Sequence, residues 1–106
     1  MWHVETLNQT VDAELEALPL DLLARLQRLI RVIELGGLES LPRDATRHLE
    51  GKLWELRVLG RSGIARTIYV TVTGQRVVLL RAFVKKAQKT PLRELQIARE
   101  REREVR

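Results

Sequence analysis

Arg57, Arg66, Arg76 and Arg81 fall on a stretch where side chains alternate in type, and Lys85, Lys86 and Lys89 follow at its exit. Cations spaced in this way can hold phosphate or other anionic oxygens and can stabilise negative charge that grows during a reaction. Residues 51–93 carry 10 Lys/Arg against the single acid Glu55, a net of +9, whereas residues 1–50 carry 5 against 9 acids, a net of −4. The last 13 residues balance at four of each. One local acid cannot neutralise ten cations in a small core, so most of them must reach the surface. Ordinary solubilising charge mixes signs. A one-sign field of this kind points instead to a polyanion partner, either nucleic acid or an acidic protein.

Other chemistries lack their residues. The chain of 106 residues has no cysteine, which removes disulfides, thiolate metal sites and cysteine nucleophiles and makes a cytoplasmic location the expectation. His3 and His48 are too far apart in sequence to suggest a shared metal, so no metal or cofactor is expected. No phosphate-binding loop, dinucleotide fingerprint or serine-hydrolase elbow is present, and Gly60-Arg61-Ser62-Gly63 is more simply a turn. The longest aliphatic run, Val77 to Leu80, is far short of the roughly 20 apolar residues of a membrane helix. The acidic N-terminus does not resemble an export signal.

The elements that must position the cations form one domain spanning residues 1–106. Trp2 to Leu7 alternates and predicts a short strand. Asn8 or Thr10 can cap a helix with Val11, Leu15 and Leu18 on one face. Pro19 interrupts it, and a second helix carries the stripe Leu22, Leu26, Leu29, Ile30 and Ile33 until Gly36 and Gly37. This helical hairpin needs another layer to cover it, and Leu38 to Gly51 reads as connection. From Lys52 the period becomes two. Strands are predicted over Trp54–Val58, Ile64–Thr73 and Arg76–Val84, the last apolar on both parities and therefore central, and short turns make them an antiparallel meander. Thr90 as N-cap and Pro91 at the first helical position open a final helix with Leu92 and Leu95 inward and a charged end from Arg99 projecting into solvent.

Parity refines the candidates. Arg66 shares its side of the strand with Ile64, Ile68, Val70 and Val72, so it is either a structural ion pair with an acid of the helical hairpin or a site residue in a cleft. Tyr69 has the opposite parity, with Thr67 and Thr71. Lys85, Lys86 and Lys89 stand between a strand end and a helix N-terminus, where cations and free backbone N–H groups converge on the same anion.

The runs Lys52-Leu53-Trp54-Glu55-Leu56-Arg57, Ala65-Arg66-Thr67-Ile68-Tyr69 and Leu79 to Pro91, with its F-x-K-K-x-x-K-T-P string, resemble the RelE/HigB-like toxins of type II toxin–antitoxin systems, in particular their phage-derived branch. The resemblance extends over residues 52–99. It implies an α+β fold of order βααβββα with an antiparallel sheet packed against helices. The implied activity is metal-independent cleavage of messenger RNA, often on the ribosome, by attack of a ribose 2′-hydroxyl on the neighbouring phosphate. The reaction needs a proton acceptor, stabilisation of charge at phosphorus and a proton donor for the leaving oxygen. By the same resemblance Arg57, Arg66, Lys86 and Lys89 are catalytic candidates, and Lys52, Tyr69, Arg81 and Lys85 are substrate contacts. Many relatives carry L-L-H-[AG]-F where this chain has Leu80-Arg81-Ala82-Phe83, which replaces a histidine by a group that does not exchange protons near neutrality. The implied partners are a helix-turn-helix antitoxin, messenger RNA and the ribosome, with operator DNA reached only through the antitoxin and no membrane. The alternatives are a non-catalytic module that binds RNA, the ribosome or the antitoxin, and a phage structural or adaptor protein.

Overall fold

Asn8 accepts the backbone N–H of Val11 at 3.1 Å and opens helix α1 (Gln9–Glu16), which follows strand β1 (His3–Thr6). Pro19, at the N-cap, separates α1 from α2 (Leu20–Gly36), and Gly37 with φ of 83° ends α2. The Trp2 indole packs where a Cβ on Gly37 would lie. Two short 3-10 turns, Leu38–Ser40 and Arg43–Ala45, lead to β2 (Thr46–Glu50), β3 (Leu53–Gly60), β4 (Gly63–Val72), β5 (Arg76–Lys85) and α3 (Leu92–Glu102). The computed structural model describes residues 1–85 and 89–106.

The architecture is α+β, as expected, with the sheet order β1-β5-β4-β3-β2. Two details differ from the expected order. β1 joins β5 in parallel, so the sheet is mixed rather than antiparallel. A fifth strand, β2, lies within the segment that the sequence presents as connection. Thr46-Arg47-His48-Leu49-Glu50 has one apolar residue because it is a largely exposed edge, and a charged edge strand also resists pairing with another chain.

The sheet separates two cores. On one face Leu22, Leu26 and Ile33 of α2 and Val11 of α1 pack on Leu56, Val58, Ala65, Tyr69, Val77, Leu79 and Ala82. On the other, Ala98 of α3 packs with Leu53, Ile68, Val70, Val78 and Leu80. β5 thus sends Val77 and Leu79 one way and Val78 and Leu80 the other, which explains its two apolar parities. A bulge lies at the Ile68/Tyr69 step: Tyr69 pairs with Leu79 but Ile68 pairs with Arg81, leaving Leu80 as the extra residue.

The final helix departs from expectation at both ends. Leu92 is 65% exposed, and Leu95 alone of the two leucines packs inward. The charged end is docked rather than projecting, with Arg99 paired to Glu50 and Arg101 to Glu14. Glu14 is a hub, accepting from Arg81 at 2.7 Å, from Arg101 at 2.9 Å and from the backbone N–H of Ala82 at 3.2 Å. Arg81 also binds Glu94 at 2.6 Å, so α1, β5 and α3 meet at one ionic cluster. Partial burial opposes the Glu14 charge, but its hydrogen bonds with Arg101, Ala82 and Arg81 outweigh that and hold its carboxyl below the ordinary glutamate value.

Glu14→Gln should therefore lower stability at neutral pH by about 1–3 kcal/mol, read by urea denaturation. A carboxyl with a depressed folded-state value contributes fully above its unfolded value and loses that contribution as pH falls through the folded one. The gap between parent and variant should accordingly narrow below about pH 4.5, the ordinary glutamate value. An unchanged gap into acid would show that Glu14 is not held this way.

Candidate functional site

Across β3 and β4, Arg57 stands directly opposite Arg66 and Glu55 opposite Ile68. Arg47 of β2 pairs with Glu55, and Lys85 of β5 pairs with Ile64. Directly opposed residues share a face, as do residues two apart on a strand. Arg47, Arg57, Arg66 and Lys85 therefore form a row on the face that carries α3, with Glu55 among them. α3 covers the Val70–Leu80 half of this face, and the cations hold the other half. Like charges opposed across strands cost stability, so this row is not explained by folding alone.

At its centre Glu55 and Arg66 are both 0% exposed. Arg66 Nη1 lies 3.3 Å from Glu55 Oε1, longer than a strong charge-assisted bond, and donates to Thr90 Oγ1 at 2.6 Å. The Thr90 hydroxyl in turn donates to Glu55 Oε2 at 2.9 Å. Arg66 is thus an ion pair, but its acid comes from the adjacent strand rather than from the helical hairpin. Thr90 does not cap α3, whose N-cap is Pro91, because its hydroxyl is engaged here. Burial pushes the Arg66 guanidinium below the ordinary arginine value, with Glu55 opposing and Arg57 and Arg47 adding to the effect. Arg66 nevertheless remains a cation at any working pH.

Lys85, half-buried at the end of β5, is more consequential. Desolvation lowers its ammonium below the ordinary lysine value, and the fields of Arg66 and Arg57 lower it further, which favours the neutral amine. Arg57 Nε is buried and makes no hydrogen bond among the described residues. Lys89 is exposed, and Lys86 lies outside the described residues.

The remaining candidates lie apart from the row. Arg81 spends its donors on Glu14 and Glu94. Tyr69 is buried on the opposite face, its hydroxyl 2.7 Å from Thr46 Oγ1, and burial raises its phenol above the ordinary value. Lys52 lies beside Val72 and Val105 at the end of the sheet remote from Lys85. Arg76 binds Glu5 at 2.8 Å and the Arg106 carbonyl at 2.7 Å. His48 is opposite Trp54 with ring centroids 5.0 Å apart, and its Nε2 lies 2.8 Å from the Gly51 carbonyl. Sequence reasoning missed Arg47, because no period marked β2, and Thr90, because its place before a proline reads as a cap.

The profile of a family described as phage derived protein Gp49-like (DUF891) matches residues 13–103, the greater part of the chain. The chain belongs to this Gp49-like family. Gp49-like proteins form a RelE/HigB-like toxin family of toxin–antitoxin systems, in agreement with the resemblance carried by residues 52–99, and such a toxin has an antitoxin partner. No curated protein matches the chain significantly. No helix among the described residues is long and apolar enough to cross a membrane.

Removing the acid at the centre of the row should be costly, because Arg66 would keep its charge without its carboxylate. Glu55→Ala is expected to lose about 3–5 kcal/mol, and Thr90→Val about 1 kcal/mol, measured by chemical denaturation. A loss below that of Thr90→Val in the Glu55 variant would contradict the arrangement.

Proposed function

We propose that this Gp49-like chain is the toxin of a type II toxin–antitoxin pair and acts as a metal-independent mRNA endonuclease on translating ribosomes in the cytoplasm. The observation that carries the proposal is the row Arg47, Arg57, Arg66 and Lys85, four cations on one half-face with the buried acid Glu55 among them. A phosphate bound along it meets positive charge from four adjacent strands, and sites of this kind stabilise a phosphorane-like transition state without a metal.

Arg57, with an unused donor, is the charge stabiliser. Lys85 is the proton acceptor for the ribose 2′-hydroxyl, because its proton affinity is lowered where it stands; the 2′-oxygen bonds to phosphorus as the bond from phosphorus to the 5′-oxygen breaks, and that leaving oxygen takes its proton from water. Lys89 and Lys86 hold the flanking phosphates. Arg66 supplies charge from beneath the row, and a phosphate oxygen reaches it directly when it takes the place of the Thr90 hydroxyl.

A second reading, a module that binds RNA without cutting it, is favoured by two observations. The full burial of Arg66 leaves it covered, and His48 lies on the opposite face. A map of RNA ends separates the two readings, since a pure binder leaves them intact.

Induction without antitoxin should arrest growth and produce new messenger RNA ends in the presence of ribosomes. Arg57→Ala should lower cleavage by about 100-fold, the typical loss of one transition-state donor. Harmlessness at levels that saturate ribosomes would overturn the proposal. The cleavage rate should rise with pH and level off below the pH of an ordinary lysine, because the reactive amine must be neutral and its proton affinity is lowered. Lys85→Arg keeps the charge but cannot accept a proton, so it should abolish this rise. A rise that persists in Lys85→Arg would assign the proton acceptor elsewhere.

A further inference from the structure

The turn at Gly37 stops α2, so the helical hairpin buries Leu56, Val58 and Tyr69 on its face of the sheet but leaves Trp54 and Thr71 of the same face exposed, Trp54 at 38%. The 3-10 turn Leu38–Ser40 passes over this end. Between turn and sheet lies a hollow of about 330 Å³ lined by Leu38, Glu39, Thr46, Trp54, Tyr69 and Thr71. Its wall is held in place from both sides. Trp54 stands directly opposite His48 on β2 and Tyr69 on β4. His48 Nε2 donates to the Gly51 carbonyl at 2.8 Å, which fixes the ring against the indole, and the Tyr69 hydroxyl lies 2.7 Å from Thr46 Oγ1.

The chemistry of this hollow is the reverse of that of the cationic row. None of its six lining residues is a cation, in a chain whose net charge is +5. Glu39 is exposed and its carboxylate forms no ion pair among the described residues. The other polar side chains are the hydroxyls of Thr46, Tyr69 and Thr71, each of which can accept a hydrogen bond. An indole face, a carboxylate without a partner and hydroxyl oxygens together specify a ligand. It must carry positive charge and N–H donors, and it must present an apolar body to the ring.

We propose that this hollow binds a small organic cation, a primary ammonium on an aryl body, with the body against the Trp54 indole and the ammonium donating to the Glu39 carboxylate. A phosphate-bearing ligand such as RNA fits less well, since it meets a carboxylate and no cation there. The volume lies within the roughly 300–1,000 Å³ of small-molecule sites, and a single lysine side chain would leave much of it empty. Trp54 and Tyr69 point to the face opposite Arg57 and Arg66, so the site is separate from the row and does not rest on the nuclease reading.

The test titrates phenethylammonium, phenylethanol, phenylpropionate and N-acetyl-lysine amide into the intact isotope-labelled chain and follows the indole N–H resonance of Trp54, identified by its loss in Trp54→Phe. Phenethylammonium should shift that resonance saturably, and the neutral and anionic analogues should bind at least fivefold more weakly. Glu39→Gln should weaken phenethylammonium about fivefold and leave the melting temperature unchanged, because the side chain is exposed. Glu16→Gln, at an exposed acid outside the hollow, should leave the affinity unchanged. Absence of a saturable shift up to about 10 mM phenethylammonium, equal binding of phenylethanol or phenylpropionate, or full affinity in Glu39→Gln would overturn the assignment. Tighter binding of N-acetyl-lysine amide than of phenethylammonium would overturn it too, by giving the hollow to a basic side chain of another protein.

Discussion

Glu55 is the carboxylate set within the cationic row, and it is fully buried there with Arg66 beside the Thr90 hydroxyl. Neither charge could remain in that position without the other, since an unpaired ion in a dry interior costs several kcal/mol. The pair permits β3 and β4 to set Arg57 against Arg66, an opposition that strand pairing by itself disfavours. Through Thr90 it also fixes where the chain enters α3, and so how far that helix extends over the sheet. The exposed part of the row is therefore what remains of the cationic face once one acid and one helix have taken their share.

A second ionic cluster has a different task. Arg81, Arg101, Glu14 and Glu94 join the helical hairpin, β5 and the last helix, and all four are largely covered. Charge is balanced there, two against two, whereas the row near Lys85 is left in excess. The balanced cluster ties three elements together, whereas the row is anchored by buried Arg66 and leaves Arg47 exposed.

Much of the fold was legible because its determinants are local. Asn8, Pro19 and the Gly36-Gly37 pair mark helix ends by backbone chemistry, and the change of period at Lys52 marks the sheet. β2 was not legible, since an exposed edge needs no apolar alternation, and parallel pairing of β1 depends on contacts more than seventy residues apart. For the site, parity alone set Arg66 and Tyr69 on opposite faces, but gave no sign that both faces are apolar and that Tyr69 is buried in the larger core. Ion partners were not legible. Whether an arginine meets phosphate or carboxylate depends on where distant acids fall, and Glu14, Glu50 and Glu94 give no sign in sequence that they take Arg81, Arg99 and Arg101.

The bulge in β5 decides the direction of everything after it. Leu80 is one residue more than the ladder with β4 requires, and its insertion shifts the phase of the strand by half a pleat. Arg81, Phe83 and Lys85 consequently turn to the side of Arg66, while Ala82 and Val84 turn toward the helical hairpin. Excision of that single residue would return the strand to regular alternation. That excision would leave Arg81 and Lys85 on the side of Arg66, whereas a regular ladder that kept Leu80 opposite Ile68 would aim them into the larger apolar core and dismantle the balanced cluster and the cationic row together.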